Sequence, residues 1–129
     1  RQDLSRDCKP LERETWAGVV DTVGDKVLAT AIAQTKYEGT VTACGLAGGP
    51  GLPSSVMPFI LRGVTLRGID SVMASQARRQ RAWDALADIM DRDQLREIYR
   101  VVAMSDVPEL APKIVQGEVR GRLVVDVNA

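Results

Sequence analysis

The chain has 129 residues, 45% of them hydrophobic, with 17 Lys plus Arg against 17 Asp plus Glu. That length suffices for one core of ordinary domain size, and a formal charge of zero supplies no field that would draw the chain to nucleic acid or an anionic membrane. Histidine is absent, which excludes every Ser-His or Cys-His dyad and removes the commonest metal ligand.

No secretory h-region and no run of about 18 apolar residues points to a membrane. The two cysteines, Cys8 and Cys44, fit neither a zinc-ligand spacing nor a C-x-x-C redox motif. They read as reduced thiols of a cytoplasmic protein, with Cys44 a small buried hydrophobe inside a strand and Cys8 an exposed bystander. The chain opens on Arg1, and residues 1–14 (RQDLSRDCKPLERE) show no apolar period; this reads as a chain entered in its middle.

Residues 16–23 (WAGVVDTV) form an apolar, β-branched run closed by Gly24, the pattern of a short buried strand. Its one charge, Asp21, suits either a ligand or base role at a strand end or a local cap. A helix opens at Asp25, with Val27, Leu28, Ala31 and Ile32 on one face, and is expected to run past Tyr37 to a stop at Gly39. Residues 40–53 (TVTACGLAGGPGLP) then read as a strand covered on both faces that feeds a glycine-rich loop. In open α/β sheets ligands gather at such strand ends. The loop pattern G-x-x-G-G-x-G departs from the G-x-G-x-x-G pyrophosphate turn, and a plain surface loop is the alternative.

Pro58 fits the first turn of a short helix over VMPFILR. Met57, Phe59, Ile60 and Leu61 make that helix either a plug for the core or an apolar wall against a flat ligand. Residues 64–70 (VTLRGID) alternate as a third strand, and Ser71 sits just beyond its end. Residues 75–90 form the clearest helix, with Ala82, Leu86, Ile89 and Met90 on one face; Arg78, Arg79 and Arg81 suit a solvated face better than a phosphate site. Residues 91–98 follow it as a connector or a helical extension. A strand over 99–104, a helix over 105–116 stopped by Gly117, and a strand over 122–127 follow. Strands alternating with helices give an α/β architecture with a mainly parallel sheet.

Three stretches, WAGVVDTVGDKVLATAIAQTKYEGTVTACGLAGG, VMPFILRGVTLRGIDSVM and GEVRGRLVVDVN, together resemble the C-terminal portion of a zinc-independent medium-chain dehydrogenase/reductase, in the acrylyl-CoA reductase and quinone oxidoreductase-like branch. The resemblance implies the C-terminal half of a Rossmann-type parallel sheet plus a C-terminal segment that returns to the catalytic domain. On that basis residues 1–98 would be a partial NADP-binding Rossmann domain and 99–129 part of the catalytic domain. The chain would be about the last 40% of such a two-domain enzyme.

The implied activity is NADPH-dependent reduction of an activated C=C bond, acryloyl-CoA to propionyl-CoA, or of a quinone. Carried over by motif, Arg1 would help hold the adenosine phosphate. Leu46 in C-G-L-A-G-G, Ile60 in P-F-I-L-R-G and Ser71 in G-I-D-S-V would line the cofactor's path, and Arg122 in R-G-R-L-V-V would lie near the cofactor. The first glycine turn and the family's acid and substrate-orienting residues have no counterpart here, so no catalytic residue is assigned. The 129 residues by themselves would be inactive. An unpaired edge on the first strand is expected, and pairing of sheet edges in relatives implies a homodimer with residues 64–70 as a candidate interface. The alternative is a non-catalytic interaction module built from a truncated Rossmann half.

Overall fold

The structure, a computed structural model, describes residues 4–129. It divides into one unit that ends at Ala74 and a second spanning Ser75–Ala129. The first contains β1 (Trp16–Asp21), α1 (Asp25–Ala33), β2 (Thr35–Ala43), α2 (Met57–Arg62) and β3 (Thr65–Gly68). Its strands form a parallel sheet in the order β1-β2-β3. Helical crossovers between parallel strands are the α/β architecture expected from the alternating pattern.

The apolar face of α1 makes the core. Leu28 and Ile32, one helical turn apart, are buried with Val41 of β2 and Val64, and Val19, Ala43, Phe59 and Leu66 pack around them. Each such aliphatic side chain contributes about 1.5–3 kcal/mol of burial. Coverage is one-sided, however. Val19 packs inward while its neighbour Val20 is 76% exposed, and Val41 is buried while Thr40 is exposed. The expectations of a buried first strand and of a second strand covered on both faces are not met within the described residues.

The helix also ends earlier than its pattern suggests. It stops at Ala33, and residues 35–39 belong to β2. Thr35 donates its hydroxyl to the Ala31 carbonyl at 2.7 Å, and Arg62 donates to the carbonyls of Ala33 at 2.9 Å and Thr35 at 3.3 Å. These bonds take up the carbonyls that a further helical turn would have used. The β1–β2 register is irregular here, Trp16 facing Thr35 while Gly18 faces Thr40. Two steps on β1 thus oppose five on β2, a bulge in which Glu38 takes φ 57°.

The polar segment before β1 is bound to the end of α1 by hydrogen bonds. Glu12 N–H donates to Ala33 O at 2.9 Å, and the Thr15 and Trp16 amides donate to Gln34 O at 2.8 and 3.2 Å. Arg6 forks onto the Glu12 carboxylate at 2.7 and 2.6 Å, and Gln34 adds a third donor at 3.0 Å. The Arg6 hydrogen bonds, then that from Gln34, hold the Glu12 carboxyl down to about 2.

The second unit contains α3 (Gln76–Ile89), α4 (Arg92–Ile98), β4 (Tyr99–Ala103), a single 3-10 turn, α5 (Val107–Val115) and β5 (Arg122–Asp126). β4 and β5 pair in parallel. What reads in sequence as a continuation of α3 is a separate helix with its own cap: the Asp91 carboxylate accepts from the amides of Asp93 at 2.9 Å and Gln94 at 3.3 Å. The boundary between the units falls at 74/75 along the chain, so that α3 and α4 group with β4 and β5; α4 packs against β4.

Candidate functional site

The C-terminal ends of the adjacent parallel strands β2 and β3 leave an open groove of about 510 Å³, lined by Ala43, Cys44, Gly45, Leu46, Gly68, Ile69 and Asp70. The ladder holds to its end, with Ile69 N–H donating to Ala43 O at 2.9 Å and Cys44 N–H to Asp21 O at 2.9 Å. The groove therefore sits on rigid strand ends, the usual ligand position of open α/β sheets. Its walls are main chain, the aliphatic side chains of Ala43, Leu46 and Ile69, and a thiol. The one charged lining residue is Asp70, whose Oδ1 accepts from the amides of Val72 at 3.0 Å and Met73 at 3.1 Å. An apolar wall with one carboxylate and no cation suits a flat, uncharged ring and disfavours a phosphate.

The glycine loop that follows β2 packs on the turn between β1 and α1. Ala47 N–H donates to Thr22 O at 3.4 Å and Gly48 N–H to Val23 O at 2.7 Å, and Asp25 N–H returns a bond to Gly51 O at 3.0 Å. A Cβ on Gly45 would lie 2.5 Å from Thr22 O, and one on Gly24, at φ 74°, would lie 2.5 Å from Gly49 O. No real side chain tolerates either distance. The close approach that requires these two glycines is backbone to backbone, between two loops. The exposed surface at the groove comes instead from Leu46, which is 66% exposed, and from the strand ends.

Of the five residues picked out by resemblance, Arg1 lies outside the described residues. Leu46 lines the groove. Ser71 directly follows the lining residue Asp70, and Ile60, 71% exposed on α2, is not in the lining. Arg122 opens β5 in the second unit, exposed and opposite Tyr99. Cys44, Gly68, Ile69 and Asp70 line the groove without having been marked by the sequence. Cys44 is exposed rather than buried, because β2 ends at Ala43 and the next residue already stands at the groove. Ile69 and Asp70 follow directly from the end of β3, a position that the rule placing ligands at strand ends could have marked. Asp21, by contrast, is buried at 4% exposure and its Oδ2 accepts from Gly24 N–H at 2.8 Å, so the local role left open by its position is the one it fills. Among the described residues no cluster of His, Cys, Asp and Glu could hold a metal ion, and no helix is long and apolar enough to cross a membrane.

No protein-family model matches the chain. Individual proteins do. It is 53% identical over 121 residues, 94% of its length, to the acrylyl-CoA reductase AcuI of Ruegeria pomeroyi. The crystal structure of Escherichia coli K-12 YhdH with bound NADPH superposes with a TM-score of 0.86 at 45% identity over 99% of the chain. The chain is homologous to the acrylyl-CoA reductase and quinone oxidoreductase-like medium-chain reductases. YhfP of Bacillus subtilis, which bears a quinone oxidoreductase name, is a further relative, 40% identical over 118 residues. Its structure with NAD bound gives a TM-score of 0.82. These reductase relatives identify the parallel three-stranded sheet as part of a Rossmann-type fold. The chain spans 37% of the length of AcuI and 39% of that of YhdH.

Proposed function

We propose that the groove at the ends of β2 and β3 receives the nicotinamide-proximal part of NADPH in a reductase of activated C=C bonds, with acryloyl-CoA as the leading substrate and a quinone or enone as the other class. The observation that carries this reading is the groove itself. It lies at parallel strand ends, it is open above Gly68, where a Cβ would meet nothing within 4 Å, and it offers aliphatic walls without a cation. Such a surface suits the ring end of a dinucleotide, whereas phosphates need donors elsewhere. Arg1 and Arg122 are the candidates for that task, and Leu46, Ile60 and Ser71 for lining the path.

NADPH, when bound, supplies the hydride. The chain's own part is to orient the ring and keep water from it: Leu46 and Ile69 cover apolar surface, and the bare backbone of Gly68 leaves room for close approach. The proton donor for the product and the groups that hold the acyl thioester are not assigned to this chain. The reading includes a cytoplasmic location and a homodimer. The outer edge of β3 supports the latter, having no strand partner among the described residues.

The test is NADPH oxidation by the complete product of the reading frame, with acryloyl-CoA and with a quinone in separate assays. Turnover of acryloyl-CoA at the higher kcat/KM is the expected result. Turnover of neither overturns the proposal.

A further inference from the structure

We propose that Asp21 is a positioning residue for the groove: its buried carboxylate fixes the β1–α1 turn, and that turn is the template on which the glycine loop, with Leu46, is seated. The inference rests on the cofactor reading of the groove but is carried by separate contacts. Asp21 is the one charged side chain among the buried described residues, and burial of a carboxylate is costly unless its hydrogen bonds are satisfied. It does not line the groove, so it does not act on a ligand directly.

What it does is join two loops. Its Oδ2 accepts from Gly24 N–H at 2.8 Å, across a turn whose Gly24 has φ 74°. Its own carbonyl accepts from the Cys44 amide at 2.9 Å and from the Cys44 thiol at 3.3 Å, at the lip of the groove. Between those two anchors, the Thr22 and Val23 carbonyls receive the amides of Ala47 and Gly48, and the Asp25 amide reaches Gly51. The turn must therefore hold one conformation if the loop is to present Leu46 at the groove. Without the carboxylate, the Gly24 amide is left buried and unpaired, and the turn has reason to rearrange.

The test compares Asp21→Ala with Asp21→Asn, which keeps an oxygen at the same reach. Amide hydrogen exchange is followed residue by residue, and NADPH affinity is measured on the complete protein. In Asp21→Ala the amides of Ala47 and Gly48 should exchange about tenfold faster, with those of the buried strand around Val41 unchanged, and NADPH affinity should fall about tenfold. Asp21→Asn should restore most of both. Where Asp21→Ala does not fold, Asp21→Glu keeps the charge, moves the oxygen by one methylene and should give the same selective loosening.

Loop exchange and affinity that stay at the wild-type values in Asp21→Ala, or in Asp21→Glu where the alanine variant does not fold, overturn the proposal. So does a uniform rise in exchange across β1, β2 and β3, which marks a purely structural residue. A wild-type protein that binds no NADPH, with loop exchange still responding selectively to Asp21, overturns the cofactor reading and upholds the seating of the loop.

Discussion

Arg62, at the end of α2, donates to the carbonyl of Ala33, at the end of α1, at 2.9 Å. The same guanidinium donates to Thr35 O at 3.3 Å and Glu12 O at 2.6 Å, and lies 3.6 Å from the Glu14 carboxylate. One side chain, 15% exposed, thus ties the segment before β1, the end of α1 and the start of β2 to α2. Hydrogen bonds from a charged donor contribute about 1.5–3 kcal/mol each, and the shared geometry makes them less than additive. Arg62→Ala should destabilise the protein by about 2–4 kcal/mol in urea unfolding. Arg62→Lys should recover less than half of that, because an ammonium lacks the planar fork that reaches three carbonyls at once.

Glu12 gives the fold a defined acid limit. Its carboxyl is lowered from 4.5 to about 2 by the Arg6 hydrogen bonds and then Gln34. A folded-state value below the unfolded one means stability that is fully present above about pH 4.5 and is lost as pH falls toward 2. Arg6 is half exposed, so solvent screening reduces the contribution to about 1 kcal/mol. Unfolding measured from pH 6 down to pH 2 should show this loss, and Glu12→Gln should flatten the profile in that window. The exposed pairs Asp7–Lys26 and Glu109–Lys113, whose carboxyls are also lowered by their lysine partners, should leave the profile little changed when removed.

Gly45 and Gly68 both line the groove but differ in what stands behind them. A methyl at Gly45 meets the Thr22 carbonyl at 2.5 Å, and backbone cannot give way as a side-chain tip can. Gly45→Ala should cost about 2–3 kcal/mol of stability or displace the loop. At Gly68 a methyl meets nothing within 4 Å. Gly68→Ala should be neutral or stabilise by about 0.4–1 kcal/mol, through lost freedom of the unfolded chain. Thermal melting of the two variants side by side checks the contrast.

Leu46 separates stability from binding. At 66% exposure it contributes little to the core, and Leu46→Ala should shift stability by no more than about 0.5 kcal/mol. If the groove holds the nicotinamide end of NADPH, the same truncation should weaken cofactor binding by about three- to tenfold, through lost apolar contact. Val115→Ala, at a side chain of α5 that is 88% exposed and outside the groove lining, serves as the comparison. Nicotinamide fluorescence titration with the complete protein reads both.

The sequence by itself determined the order of the strands, the parallel α/β class, the apolar face of α1 and the helix ends at Gly63 and Gly117. Each of these depends on near neighbours: Leu28 and Ile32 recur at one helical turn, and both glycines take positive φ, at 59° and 73°. Family likeness was equally legible, because it lies in linked strings of residues. Tertiary structure decided the rest. The end of α1 depends on Arg62, which is 29 residues away along the chain, and no local pattern records such a donor. Cys44 is exposed because β2 stops one residue before it. The glycines after β2 looked as though they faced a ligand, but Gly45 is required by the carbonyl of Thr22. Local periodicity records which face of an element is apolar; which backbone comes to lie against a loop is settled only when distant segments pack.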